Sequence, residues 1–244
     1  MHYAILAAGL GSRLAAEGIP QPKPLVPVGG QPLIDRLLDI LLDNDAKQIA
    51  VVCRPTDDDA VARHLADLQR YGLHGRPVPL HIVRQSTASS MHSLQALSPL
   101  LAAAPFVLTT VDTVFSPSSF AAYVSAFRSA PSGLFGVTDY CDDERPLYVH
   151  ADSQRRITAF TDAPCRAPYV SAGVYGLQPI HLQTLHRCIE RGESRMRNFQ
   201  RALLADGHRI DAWPMGTVFD VDHAADIRRA EQMMGEWGNE KMGK

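Results

Sequence analysis

The sequence is poor in cysteine, in tryptophan and in surplus charge, and it has no long apolar run. Each shortage closes a class of protein. The four cysteines, Cys53, Cys141, Cys165 and Cys188, lie far apart with no Cys-x-x-Cys pair. That leaves neither a disulfide framework nor a thiolate zinc site, and it fits reduced thiols in a cytoplasmic protein. No window approaches the ~18 unbroken apolar residues of a membrane span. Twenty-four basic against 26 acidic residues give a net charge of −2, too little to gather nucleic acid or anionic lipid by itself. Any anion this protein binds must be held by a local site. Glycine and proline, 17 of each, stand at ordinary levels, which excludes collagen-like and low-complexity chains.

What is present is a globular complement: 244 residues, 45% of them apolar and 20% charged, enough to bury a substantial core. The opening Met1-His-Tyr-Ala-Ile-Leu-Ala-Ala-Gly-Leu-Gly11 lacks the basic start of a secretory signal and reads as a buried strand. Strand and helix then alternate. Tyr3–Ala7, Ile49–Cys53, Leu80–Val83 and Phe106–Val111 are short apolar strands, the last ending on Asp112. Leu33–Leu42 and Ser90–Leu101 read as helices, and Thr56-Asp57-Asp58-Asp59 as a polar, acidic helix start. Beyond residue 133 strands are expected at Gly133–Thr138, Leu147–His150, Arg156–Phe160 and Tyr169–Leu177. Helices at Pro179–Arg191 and Ser194–Ala205, strands at Arg209–Trp213 and Val218–Val221, and a last helix at Ala224–Trp237 complete the reading. Such alternation predicts an α/β protein, a mostly parallel sheet with helices on both faces and ligands beyond the carboxyl ends of the strands. No repeat or Pro/Gly/Ser-rich linker divides the chain. One domain over 1–238 with a flexible tail at 239–244 is expected.

Gly9, Gly11 and Asp112 fall at those strand ends. Gly9 and Gly11 offer backbone free of side chains, where amides can close on phosphate oxygens. A lone Gly-x-Gly also marks any tight strand–turn junction. Leu14 stands where a dinucleotide fingerprint needs its third glycine, and no Gly-Lys-Ser/Thr triplet follows, so neither the dinucleotide motif nor the P-loop is met. Pro22-Lys23-Pro24 places a stiffened lysine shortly after Arg13. Two cations on one polyphosphate contribute about 4 kcal/mol per charge pair at ~4 Å and an effective dielectric of ~20.

Leu6-Ala-Ala-Gly-Leu-Gly-Ser-Arg-Leu14 and Pro22-Lys-Pro-Leu-Val-Pro-Val-Gly-Gly-Gln-Pro-Leu-Ile34 resemble the N-terminal signature of the sugar-phosphate nucleotidylyltransferases. The resemblance implies the Rossmann-like, GT-A-like nucleotide-diphospho-sugar transferase fold. It implies transfer of NMP from an NTP to a phosphorylated small molecule, with pyrophosphate released. It puts Leu6, Ala8, Gly9 and Gly11 against the nucleotide, Arg13 on the leaving pyrophosphate and Lys23 on the phosphates. Asp112, at the ligand edge of the sheet, matches the family's magnesium aspartate. Thr217-Val-Phe-Asp-Val-Asp-His223 matches the segment of the second Mg²⁺ ligand, which is Asp220 in some relatives' alignment and Asp222 in others'. Asp222 also reads as the N-cap of the last helix. Gln85 and Ser90 fall where the base is read, and Ser171 and Gly173 where the acceptor lies.

Two departures bear on the acceptor. Ser90-Met-His-Ser-Leu94 is similar to the choline-phosphate cytidylyltransferase branch. Asp162-Ala163-Pro164 replaces the Glu-Lys-Pro of many members, leaving Arg145, Arg166 or Arg197 to hold the acceptor phosphate. A sugar 1-phosphate is therefore the first expectation and phosphocholine the alternative. A non-catalytic nucleotide-sugar binder would need a broken carboxylate set. The histidines, His92 and His223 among them, lack ligand spacing, and Arg195–Arg201 reads as a solvated basic face. A homo-oligomer is left open.

Overall fold

Tyr3, Ala4 and Ile5 carry no charge to face water, and all three are fully buried in the first strand. A computed structural model of the chain describes residues 1–242 except 57–58, 131, 142–144 and 164–166, with side chains described to 237. Its elements in chain order are β1 (His2–Ala7), α1 (Ser12–Ala16), a 3-10 turn (Lys23–Leu25), β2 (Pro27–Val28), β3 (Gln31–Pro32), α2 (Leu33–Asp43), β4 (Gln48–Cys53) and α3 (Ala60–Tyr71). Then come β5 (Leu80–Arg84), α4 (Ser90–Leu101), β6 (Phe106–Thr110), β7 (Thr113–Val114), α5 (Pro117–Arg128), β8 (Gly133–Thr138), β9 (Tyr148–Ala151), β10 (Ile157–Thr161) and β11 (Tyr169–Leu177). The chain closes with α6 (His181–Glu190), α7 (Met196–Ala205), β12 (Ile210–Pro214), β13 (Phe219–Asp220) and α8 (Ala224–Met242).

β5, β4, β1 and β6 form a parallel block with β1 inside it. β11 then runs antiparallel to β6 and to β8, and β12 lies parallel to β8. The sheet is thus mixed: parallel through its first half, and in the second half parallel only between β8 and β12. Side chains alternate across it as strand geometry demands. Tyr3, Ile5 and Ala7 join the core under α2, α3 and α5, whereas Ala4 and Leu6 join the core under α4, α6 and α7. A third apolar cluster joins Leu14, Val26, Val28, Val114, Phe219 and Ala230. It clamps the Lys23 segment and the start of α8 against the end of the sheet.

Two features deviate from the sequence reading near this edge. α3 begins at Ala60; Asp59 sits at its N-cap with φ 46° and makes no capping bond, its carboxylate pairing with Arg84 instead. Asp57 and Asp58 lie outside the described residues. β6 stops at Thr110, which puts Asp112 in the turn to β7. α5 was not expected at all, and α8 carries helical backbone through 239–242, into the stretch read as a tail. Among the described residues no helix is long and apolar enough to cross a membrane.

Candidate active site

The carboxyl end of β1 opens into Ala8–Gly11, and the backbone must turn at once into α1. Gly11 makes that turn at φ 62°, and a Cβ there would stand 3.2 Å from Lys23 Cβ. Glycine therefore meets two demands, the left-handed backbone and the close approach of Lys23. Lys23 itself is only 8% exposed, fixed between Pro22 and Pro24. Its Nζ contacts Asp112 Oδ2 and lies 2.7 Å from Asp222 Oδ1. Arg13, from α1, donates through Nη1 to the other oxygen of Asp222 at 2.7 Å. Residues brought from four separate parts of the chain thus meet in one charged cluster.

The electrostatics follow from this geometry. Burial alone would lower the Lys23 ammonium, but the Asp112 and Asp222 carboxylates outweigh it and raise its pKa. Burial pulls Asp222 upward, and the cations of Lys23 and Arg13 win, holding it below the ordinary carboxylate range. Asp220 takes a different environment. Its Oδ1 accepts from Thr113 Oγ1 at 2.8 Å, across the β13–β7 pairing. Crowding by protein on its inner side and then the like charge of Asp112 raise its carboxyl to about 7.

Asp222 does not cap α8. Asp226 does that work, its Oδ2 accepting from the N–H groups of Asp222 (3.0 Å) and His223 (2.7 Å). Glu17 accepts from Ala224 N–H at 2.7 Å. Capping by these neighbours leaves the Asp222 carboxylate to the cations. Among the described residues no three carboxylate, imidazole or thiolate groups converge on one point. The carboxylates here, Asp112 and Asp222 on Lys23 and Asp220 beside them, offer oxygen alone. Two such carboxylates with substrate phosphates are the donor set that Mg²⁺ prefers.

Among the described residues three cavities adjoin this cluster or Asp220 beside it; one of about 350 Å³ is lined by Arg13, Tyr140, Ser171, Asp220, Asp222 and His223, and the other two hold most of the sequence candidates. The first of these two, about 440 Å³, is lined by Leu6, Ala8, Gly9, Gly11, Arg13, Lys23, Ser90, Asp112 and Asp222. The second, about 340 Å³, is lined by Ser171, Gly173, Arg145, Arg197 and Asp220, and shares Leu6 and Ser90 with the first. Gly173 sits at φ 70° in a two-residue bulge of β11, where a Cβ would come 3.1 Å from Thr113 Oγ1. Gln85 alone stands apart. β5 is an edge strand, and Gln85 just beyond it is exposed and off the cavity wall, which Thr87, Ala88 and Ser89 supply instead. Arg197 reaches the second cavity and pairs with Asp162, so the Asp-Ala-Pro departure supplies a partner for the arginine. Arg166 and Pro164 lie outside the described residues.

Several lining residues escaped the sequence reading. Arg54, which follows β4 directly, could have been found from the strand-end rule that found Asp112. Arg195, read as part of a solvated face, lines the second cavity. Gln200, in the same Arg195–Arg201 run, does too, and so does Tyr175, which closes the Ser171–Tyr175 stretch that the resemblance sets at the acceptor.

Residues 3–171 match the model of the MobA-like NTP transferase domain. The chain belongs to this family. The resemblance seen in Leu6–Leu14 and Pro22–Ile34 and the α/β fold class therefore both hold. A low-salt glycan biosynthesis nucleotidyltransferase of Haloferax volcanii is 24% identical over 97% of this chain, which spans 66% of that protein. A UTP–glucose-1-phosphate uridylyltransferase of the same organism is 25% identical, with 97% of each chain covered. The solved inositol-1-phosphate CTP transferase of T. maritima shares the fold, with a TM-score of 0.79, 20% identity, and 97% of this chain and 95% of that one covered.

Proposed function

We propose that this MobA-like chain is a Mg²⁺-dependent nucleotidylyltransferase that joins the NMP of an NTP to a sugar 1-phosphate and releases pyrophosphate. The observation that carries the reading is Lys23 Nζ held between Asp112 and Asp222, with Arg13 on the same Asp222, at the mouth of a glycine-lined cavity. A sugar phosphate carries about −1.5 to −2 charges at neutral pH, so its oxygen is already a nucleophile. No residue needs to remove a proton from it.

The difficulty is repulsion between two anions, and cations with in-line placement overcome it. The Gly9–Gly11 backbone admits the triphosphate beside Lys23 and Arg13. An oxygen of the acceptor phosphate attacks the α-phosphorus, the bond from that phosphorus to the β-phosphate oxygen breaks, and its electron pair leaves on pyrophosphate. Lys23 and Arg13 hold the charge that develops on the leaving group. Asp112 and Asp222, with Asp220 beside them, would hold Mg²⁺, which when bound neutralises phosphate charge. A free-standing binder of nucleotide sugars needs no such carboxylate pair, and here it is intact. The free thiols Cys53, Cys141 and Cys188 support a reducing, cytoplasmic setting.

The test is pyrophosphate release measured over a grid of NTPs and acceptor phosphates. Release only when NTP, acceptor and Mg²⁺ are all present supports the reading. A protein silent across the whole grid contradicts it.

A further inference from the structure

The second cavity contains a polar group that phosphate chemistry leaves unused. Gln200, on α7, is 2% exposed and lines that cavity. One end of its amide is occupied, Nε2 donating to the Tyr175 hydroxyl at 3.3 Å, with Ser171 Oγ 3.4 Å further along from Tyr175. The other end, Oε1, has no hydrogen-bond partner. Turning the amide over would exchange the two ends and still leave one unpaired. Buried amide atoms are nearly always paired, so an unpaired one lining a cavity takes its partner from whatever fills the cavity, water or ligand. Burial pushes the Tyr175 phenol up to about 12, so it remains a hydroxyl and keeps its end of the amide.

The rest of the wall limits what that ligand can be. Arg195 and Arg197 line the same cavity, and guanidinium groups match phosphate oxygens in pairs. Arg195 is held at φ 74°, ψ 136°, a costly backbone for a side-chain-bearing residue. Its N–H lies 3.4 Å from Ser89 Oγ, at the start of the helix that borders the nucleotide cavity. A quaternary ammonium has neither a donor nor an acceptor for Gln200, is repelled by arginine, and is ordinarily held by several aromatic faces. Among the described lining residues Tyr175 is the only ring.

We propose that Gln200 is the specificity-determining residue of the acceptor cavity. It selects a phosphorylated polyol, one of whose hydroxyls pairs with the unpaired end of the amide while the arginines take the phosphate. Acceptors without a hydroxyl, phosphocholine among them, leave that end buried and unpaired. The inference rests on the nucleotidyl-transfer reading and adds to it the residue that selects the acceptor.

The test compares wild type with Gln200→Leu and with Gln200→Met, whose shape is closer to glutamine, using glucose 1-phosphate and phosphocholine at saturating NTP and Mg²⁺. Wild type should prefer glucose 1-phosphate. Both variants should lose roughly tenfold to hundredfold in kcat/KM for it, about 1.4–2.8 kcal/mol, mostly through KM. Their phosphocholine rates should hold or rise, since no buried acceptor atom is then stranded, and their NTP affinity should stay within twofold of wild type. A wild-type preference for phosphocholine, or variants within threefold of wild type on glucose 1-phosphate, would overturn the proposal. Calorimetric binding of glucose 1-phosphate to each protein, with a non-reacting NTP analogue present, separates this proposal from the transfer reading. Binding weakened in Gln200→Met sustains the role of Gln200 even where no pyrophosphate is released. Equal binding, or none to wild type, refutes it.

Discussion

Replacing Lys23 by methionine keeps the length of the side chain and removes its charge. Asp112 and Asp222 are then left facing one another, with 17% and 40% of their side chains exposed. Breaking a fully buried ion pair costs about 3–5 kcal/mol, and the exposure of Asp222 screens this to about 1–3 kcal/mol. At roughly 2–4 °C per kcal/mol, the melting temperature should fall by ~2–12 °C. The catalytic loss should be larger relative to its own scale. Removing a donor aimed at developing phosphoryl or oxyanion charge costs about 2.7–4 kcal/mol, or roughly 10²–10³ in kcat. Continuous pyrophosphate detection at 25 °C, well below either melting point, separates the two effects. A folded Lys23→Met protein turning over within threefold of wild type would show that the ammonium plays no part in the transfer. A protein that loses only stability would make Lys23 a structural residue of the cleft.

Other perturbations have equally definite outcomes. Arg13→Ala removes the second cation from Asp222 and should lower kcat/KM by about 10²–10³-fold with little change in melting temperature, since the side chain is half exposed; a fall in melting temperature as large as that of Lys23→Met would contradict this. Gly11→Ala forces a Cβ into left-handed backbone and against Lys23, and should cost about 1–2 kcal/mol in denaturant unfolding and weaken NTP binding. Unchanged NTP affinity would count against the coupling of the loop to Lys23. Asp226→Ala removes the acceptor for two N–H groups, should destabilise by about 1 kcal/mol, and should slow turnover by letting Asp222 drift. His181 supplies a pH test remote from the site. Burial lowers it to about 4, and its Nδ1 accepts from Gln178 N–H at 3.1 Å, which requires the neutral ring. The unfolded chain then takes up the proton first, so stability is full above about pH 6.5 and declines by up to ~3 kcal/mol towards pH 4. His181→Asn should flatten that decline; an unaltered profile would assign the acid sensitivity elsewhere.

β1 and β4 were legible because they are apolar on both faces, and Tyr3–Ala7 and Ile49–Cys53 match them to within a residue, as Leu80–Val83 matches the edge strand β5. Ser90–Leu101, Gly133–Thr138 and Tyr169–Leu177 match their elements end to end. α5 was missed although Ser116 caps it, Pro117 opens it, and Phe120, Tyr123, Val124 and Phe127 follow at helical spacing. The period was there, hidden between a catalytic-looking turn and a strand. Asp59 shows the opposite fault. Read as part of an acidic first turn, it stands instead just before α3 with its carboxylate on a tertiary partner, Arg84. In the site, Arg13, Lys23 and Asp112 could be read from local motifs, because rigid turns and strand ends put them there. The roles of Asp220 and Asp222 could not, since two residues of spacing on a strand share a face only while the strand lasts, and β13 ends at Asp220. Gln200 was unreadable for a related reason. It lies on the buried face of α7, and only the absence of a partner after folding marks it out.

Direct attack by an already ionised acceptor is the centre of this account, and oxygen isotopes test it without assuming any residue. Glucose 1-phosphate labelled with ¹⁸O in all its terminal phosphate oxygens is turned over with unlabelled NTP, and both products are weighed by mass spectrometry. The account predicts that every label is retained in the nucleotide sugar, one of them in the new bridge, and that the pyrophosphate carries none. Label in the pyrophosphate, or loss of label from the sugar product, would contradict it.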